Sequence, residues 1–254
     1  MPETTGSSSI DYWSGQSYFG RDPGGNIFVA GTFETTCVRV AYPEISLNLR
    51  TRLEQGLIAI ALPLDETQID KLLDYLALLV KCNKSFNLTA ITDPVKMIPY
   101  HLLDSLAILD AVKLASNALD VGTGAGLPGL PLAIAMPDSK WTLLDSNGKK
   151  TRFLQQAVAQ CNISNAEVVQ SRVEDYHAAK PFDIIVSRAY ASLSGFVESV
   201  QHLSHSETTL LTMKTGLGTE EAEAIDSTKY LIEETRLHIP GINSRRSLVR
   251  LRQR

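Results

Sequence analysis

The sequence predicts a doubly wound α/β fold. Three observations carry it. From about residue 115 onward, short apolar runs of strand length alternate with segments of helical spacing. A turn holding four glycines joins the first run to the first helix, and two further β-like runs close the chain. With 254 residues, 44% of them hydrophobic, one such domain with a helical cap can bury a sizeable core.

Residues 1–44 are expected to be an N-terminal extension of low order. Met1 to Gly31 is rich in Gly, Ser, Thr and Pro, with aromatics scattered singly. Little apolar surface is available there to offset the entropy of ordering. Residues 45–114 read as a helical cap. Ile69, Leu72, Leu73, Leu76, Leu79 and Val80 recur at three- and four-residue spacing, and Pro94 opens another helix through Leu109.

Residues 115–254 carry the sheet. Asn117-Ala118-Leu119 leads into the turn Asp120 to Gly129, and Leu130 to Ala135 continues as a helix in which the nearby prolines cost little. Trp141 to Asp145 is the second strand, and Gly148 to Gln160 its helix. Glu167 to Gln170 is a third strand, and Phe182 to Ala189 a buried fourth one ending in polar groups. Leu193 to Leu203 has helical spacing, and Thr209 to Lys214 is the fifth strand. Ile232 to Ile239 and Ser247 to Leu251 would complete seven strands with an antiparallel edge.

Strand, glycine turn and helix together let backbone approach a nucleotide-like ligand. The ligand itself stays open at this level. Gly124-x-Gly126-x-x-Gly129, with Asp145 about twenty residues on, satisfies the dinucleotide fingerprint and would suit an NAD(P)-dependent oxidoreductase. Read one step earlier, Asp120-x-Gly122-x-Gly124-x-Gly126 places an acid directly before the turn. That form resembles motif I of the class I S-adenosylmethionine (SAM) methyltransferases. A non-catalytic SAM- or RNA-binding module is the third possibility.

Seven short words occur in one order: Asn87-Leu88-Thr89, His101 to Leu106, Asp120 to Gly129, Leu143 to Ser146, Arg172-Val173-Glu174, Ser187-Arg188-Ala189 and Met213-Lys214. From about Leu47 to near the C-terminus they resemble the RsmG (GidB) family, bacterial methyltransferases acting on guanine N7 of 16S ribosomal RNA. The resemblance implies a class I SAM-dependent methyltransferase with a Rossmann-like seven-stranded sheet and an N-terminal helical cap. It implies SAM as cofactor, 16S ribosomal RNA or the small ribosomal subunit as partner, and no metal. It also implies that Gly122, Gly124 and Leu127 contact SAM, that Asp145 holds the ribose hydroxyls, and that Val173 and Glu174 lie along the adenine. Arg188 would close the pocket and act in catalysis, with His101, Lys214 and Arg246 on the RNA side. The chain departs from the family at Cys82, where tryptophan is usual before the asparagine, here Asn83.

The implied chemistry agrees with the residues. Guanine N7 is a lone pair with no proton to remove, so no general base is needed. Ser187-Arg188-Ala189-Tyr190 stands where amine-methylating enzymes carry an Asp/Asn-Pro-Pro-aromatic word. None of Cys37, Cys82 or Cys161 follows a proline, as the nucleophile of cytosine-C5 methylation commonly does. Catalysis would then come from orientation, which supplies up to ~7–11 kcal/mol between aligned reactants.

Plainer roles stand beside these. Asp120 can satisfy backbone donors of the turn, Glu174 and Lys214 can be solvated, and His101 can be held by a neighbouring side chain. Arg188, ending an apolar strand, needs an anion or hydrogen-bond partners if it is buried.

Net charge is −4 and pI about 5.8, which does not favour nucleic acid, but the charge is uneven. Arg245, Arg246, Arg250, Arg252 and Arg254 crowd the last ten residues without an acid, and Lys149, Lys150 and Arg152 form a second cluster. A basic rim of this kind is able to hold RNA phosphates, or simply to be solvated. Three cysteines suggest no disulfide framework. No apolar run reaches membrane-spanning length, and the start has no basic-then-apolar signal, so a cytoplasmic protein is expected; a monomer is expected as well.

Overall fold

The computed structural model of the chain describes residues 19–21, 27–29, 43–188 and 192–254. Strands β1 (Phe19–Arg21) and β2 (Ile27–Val29) pair antiparallel, Phe19 opposite Val29, in a unit spanning Met1–Arg39. Three-residue strands are too short to leave an alternating signature in sequence. The rest of the low-order expectation for residues 1–44 lies outside the described residues, save for the start of the first helix.

The second unit, Val40–Arg254, holds cap and sheet together. Its first helices are α1 (Pro43–Ala59) and α2 (Glu66–Phe86). Asp65 starts α2 through a capping box: its carboxylate accepts from Gln68 N at 2.8 Å while Asp65 N donates to Gln68 Oε1 at 3.0 Å. Asn87 ends it in the left-handed conformation. Ile69, Leu72, Leu76 and Leu79 are buried as their spacing predicts, Tyr75 joins them, and Leu73 and Val80 are only partly covered.

The helix expected from Pro94 to Leu109 is broken up. It runs as α3 (Pro94–Met97), a π-helical turn Ile98–Leu103, α4 (Asp104–Leu106) and, after a break, α5 (Leu109–Val112). Pro99 lacks an N–H, so this stretch has no regular α-helical ladder through it. The Asp104 N–H instead faces the carbonyls of both Pro99 and His101. Both His101 and Asp104 end up buried.

The sheet strands are β3 (Asn117–Val121), β4 (Lys140–Asp145), β5 (Ala166–Gln170), β6 (Ile184–Arg188), β7 (Thr209–Lys214), β8 (Tyr230–Leu237) and β9 (Arg246–Gln253). Helices α6 (Gly129–Ala135), α7 (Gly148–Gln160), α8 (Leu193–Val200) and α9 (Thr219–Glu223) lie between them in the chain. The spatial order is β5-β4-β3-β6-β7-β9-β8, with β3 to β7 parallel and β9 antiparallel to both of its neighbours. The last strand is thus inserted between β7 and β8, which sequence order alone would not give.

Side-chain alternation along β3 divides the core. Ala118 belongs to a cluster with the cap, α6 and α7, whereas Leu119 and Val121 face a second cluster with Phe196 and Val200 of α8. Asp120 shares the face of Ala118 and is fully buried beneath the glycine turn. Strand order reverses where β3 lies between β4 and β6, and an open α/β sheet binds ligands outside the carboxyl ends of its strands at such a point.

Candidate functional site

The turn after β3 is built around two carboxylates. Asp120 Oδ2 accepts from Thr123 Oγ1 at 2.6 Å and from Gly129 N at 2.8 Å, tying both ends of the turn to the strand beneath it. Asp120 therefore satisfies donors of the turn and its flank. Its Oδ1 is buried without a hydrogen-bond partner among the described residues. Burial raises this carboxyl to about 6, against the pull of the Thr123 and Gly129 hydrogen bonds and of Arg188. At the end of β4, Asp145 Oδ2 accepts from Gly124 N at 2.9 Å and Oδ1 from Asn147 N at 2.8 Å, with Lys150 Nζ 3.8 Å away.

Two glycines of the turn have opposite duties. A Cβ on Gly129 would lie 2.7 Å from Asp120 Oδ2 and 2.5 Å from Leu143 Cδ2, so Gly129 serves close packing. Gly124 has φ +63°, and a Cβ there would meet nothing nearer than 3.8 Å. Its bare backbone faces room for a ligand.

The cap supports the same turn. Tyr75 of α2 donates its hydroxyl hydrogen bond to Ala125 O at 2.7 Å in a buried position. Gln68 donates to Ile134 O and Ala135 O, and Asn165 to the carbonyls of Ala133, Met136 and Ser139. These bonds satisfy carbonyls at and just beyond the end of α6.

Beyond the ends of β6 and β7 opens a cleft of about 540 Å³, lined by Tyr100, His101, Asp104, Arg188, Lys214, Glu221 and Arg246 among others. Arg188 has the anion its position requires. Its Nη1 donates to Asp104 Oδ2 at 3.1 Å and to Tyr100 O at 3.1 Å. Arg246 Nε approaches the other oxygen, Asp104 Oδ1, at 3.3 Å as an ion pair without hydrogen-bond alignment. Burial pushes the Asp104 carboxyl up although both guanidiniums pull it down. Desolvation thus outweighs pairing, as is common for buried ion pairs.

His101 lines the cleft and also has a neighbour to hold it. Its Nε2 lies 2.9 Å from Thr89 Oγ1, and Thr89 is in turn held by Asn83 through two hydrogen bonds. Burial, aided by the charge of Arg188, depresses the imidazole to about 4, so it is neutral near pH 7. The position of the expected tryptophan holds a buried Cys82, next to the Asn83 that organises this loop. Lys214 Nζ donates to Glu221 Oε1 at 2.6 Å, which also accepts from Leu193 N at 2.8 Å. Glu221, on α9, has no sequence signal beyond a short acidic run.

The remaining candidates divide. Gly122, Gly124, Leu127 and Asp145 gather at the turn, Leu127 and Asp145 being buried. Val173 is buried against the second core cluster, while its neighbour Glu174 is exposed. The basic chain end is partly offset by β8: Arg250 and Arg252 share Glu233, and Arg245 pairs with Glu234. Sequence reading misses this because the register that sets Glu233 opposite Arg250 is fixed only when β8 and β9 pair. Among the described residues there is no cluster of metal-ligand type, and no helix is long and apolar enough to cross a membrane.

With this geometry in view, comparison with known proteins decides the family. The model of the GidB family, rRNA small subunit methyltransferase G, matches residues 68–249. The chain belongs to that family. It is 46% identical over 201 residues to a ribosomal RNA small subunit methyltransferase G of Pseudomonas aeruginosa, covering 79% of this chain and 94% of that protein. A protein of the same name from Alteromonas mediterranea is 43% identical over 210 residues, covering 83% and 99%.

Family membership makes the chain a SAM-dependent methyltransferase. The fold is that of the class I methyltransferases. The O-methyltransferase of Bacillus cereus, solved in complex with S-adenosylhomocysteine, superposes with TM-score 0.52 at 16% identity over 81% of this chain and all of that one. Nothing in these comparisons supports the oxidoreductase or the non-catalytic alternative.

The residues at the turn fit SAM. Gly124 leaves open space beside its backbone, and Asp145, although bonded to two backbone N–H groups, retains lone pairs for a ribose diol.

Proposed function

We propose that this chain methylates guanine N7 in 16S ribosomal RNA of the small subunit, with SAM bound at the β3 turn and the base entering the cleft beyond β6 and β7. The supporting observation is spatial. A cleft walled by three cations, Arg188, Lys214 and Arg246, against the two acids Asp104 and Glu221 lies beside the glycine turn of a family whose named members are small-subunit rRNA methyltransferases.

SAM supplies a methyl group on a positively charged sulfonium. Gly122, Gly124 and Leu127 form the floor under its methionine part, Asp145 takes the ribose hydroxyls, and Val173 and Glu174 border the adenine. Arg188 is the catalytic candidate. Anchored by Asp104 and the Tyr100 carbonyl, it holds a fixed charge between the two halves of the site. Such preorganisation orients reactants without moving a proton. Because N7 carries no proton, the low basicity of His101 is no handicap. On the RNA side we assign Lys214, Arg246 and His101, the last through its position on the cleft wall. Folded RNA is read at unstacked bases, so the target base would be splayed into the cleft. The protein is proposed to act as a cytoplasmic monomer, with residues 1–44 an extension, 45–114 a cap and 115–254 the catalytic domain.

The test is incubation with labelled SAM and small subunits from cells lacking the modification, followed by mapping of the labelled nucleotide. Label on N7 of one guanine is expected. No label, or label on another atom, defeats the reading.

A further inference from the structure

The far wall of the cleft carries an ion pair that the binding scheme above leaves without a job on the base. Lys214 ends β7 and Glu221 lies on α9, so the two are joined by a loop that folds back over the strand end. Their side chains meet at 2.6 Å and are about a fifth exposed, at 17% and 25%. Both hydrogen bonds to Glu221 among the described residues, from Lys214 Nζ and Leu193 N, land on Oε1. Oε2 is left as an acceptor. The ammonium has three donors and uses one here. These same bonds, working against burial, hold the Glu221 carboxyl below its ordinary value, so it is ionised and acceptor-only.

The other acid of the cleft is not available in this way. Asp104 is buried at 3% exposure, and its two oxygens face Arg188 and Arg246. Of the two, Glu221 is the one with an uncommitted oxygen.

Guanine presents O6 as an acceptor beside the N1–H and N2–H₂ donors. Adenine reverses that order, with a donor at N6 and an acceptor at N1. With N7 directed at the methyl group over the β3 turn, the Watson–Crick edge, which adjoins the N7 edge at O6, is turned along the sheet toward β7 and α9, two strands on from β3. A lysine and a glutamate side by side then offer donor and acceptor in the order guanine needs. Against adenine they would set donor against donor and leave a charged acceptor facing a lone pair, which is heavily penalised in a desolvated site.

We propose that the Lys214–Glu221 pair reads the Watson–Crick edge of the target guanine, Glu221 accepting from N1–H and N2–H₂ and Lys214 donating to O6. The assignment rests on the guanine-N7 reading and adds the residues that select the base.

The test compares methyl transfer to small-subunit RNA carrying guanine or inosine at the target position, since inosine lacks only the N2 amine. Wild-type protein should favour guanine by about tenfold or more in kcat/KM, as one lost hydrogen bond to a charged group implies. Glu221→Ala, which removes the acceptor, should bring that ratio to within about threefold of unity while S-adenosylhomocysteine affinity stays unchanged. If Glu221 only anchors Lys214 and the chain near Leu193, the variant loses rate equally on both substrates and the ratio stays as in wild type, which overturns the proposal. Should the variant not fold, the wild-type ratio still decides, because equal rates on guanine and inosine remove the Glu221 contact. No transfer by wild type to either substrate removes the guanine reading, and the proposal with it.

Discussion

Asp120→Asn probes how the glycine turn is held. The carboxyl is fully buried, two donors share Oδ2, and Oδ1 has no partner. Its value rises from 3.8 to about 6 on folding, chiefly through burial. Between those values the native protein holds a proton that the unfolded chain has released. The stability from this group is therefore fully present below pH 3.8 and is lost as pH rises through about 6. A shift of about two units corresponds to about 3 kcal/mol in all, of which about 2 kcal/mol falls above pH 4.5. Asparagine cannot titrate, and its amide nitrogen, taking the place of Oδ1, leaves two buried N–H donors unpaired, costing about 1–3 kcal/mol. At pH 4.5 the variant should be less stable than wild type. By pH 7.5 the gap should close by about 2 kcal/mol. Urea unfolding followed by fluorescence and by far-ultraviolet circular dichroism at several pH values measures this, with buried Trp141 as a core reporter. Parallel pH profiles for the two proteins would refute the idea of a buried, ionising carboxyl under the turn.

Three further outcomes are expected. Asp104→Asn leaves Arg188 and Arg246 facing each other without their shared anion; since both are about a fifth exposed, the cost should be about 2 kcal/mol rather than the larger loss of a fully buried pair. Methyl transfer should fall at least about tenfold, so wild-type kinetics in that variant would remove the Asp104 hub from the site. Gly129→Ala should destabilise by more than about 2 kcal/mol, because its Cβ overlaps Asp120 and Leu143, whereas Gly124→Ala should cost about 1 kcal/mol and chiefly weaken S-adenosylhomocysteine binding in calorimetry; equal effects would undo the division between packing and ligand glycines. Tyr75→Phe loses the buried bond to Ala125 O and should cost about 1–2 kcal/mol in denaturant unfolding, with a severalfold weaker cofactor affinity; no change in either would show that the cap does not brace the turn.

Much of this protein is written locally. Alternating apolar runs, the glycine turn and the acid ending β4 each depend on neighbours a few residues away, so strands, helices and the turn proposed to hold the cofactor follow from the sequence. The capping box of α2 is equally local. What the chain order does not contain is partnership across distance. Asp104 meets Arg188 and Arg246 from 84 and 142 residues away, and Glu233 meets Arg250 and Arg252 only when β8 and β9 pair in the register that sets Glu233 opposite Arg250. That pairing sets two glutamates of β8 against three arginines that the sequence alone leaves as part of a basic rim. The π-helical turn at Pro99 likewise breaks a helix that periodicity alone extends smoothly, and it places His101 and Asp104 in the cleft wall. Sequence determined the elements and the glycine turn because those rest on short-range sterics and burial. Tertiary structure decided which charges are paired and which remain to meet a substrate, because an ion pair is set by proximity in space and by water exclusion, neither of which is a property of sequence spacing.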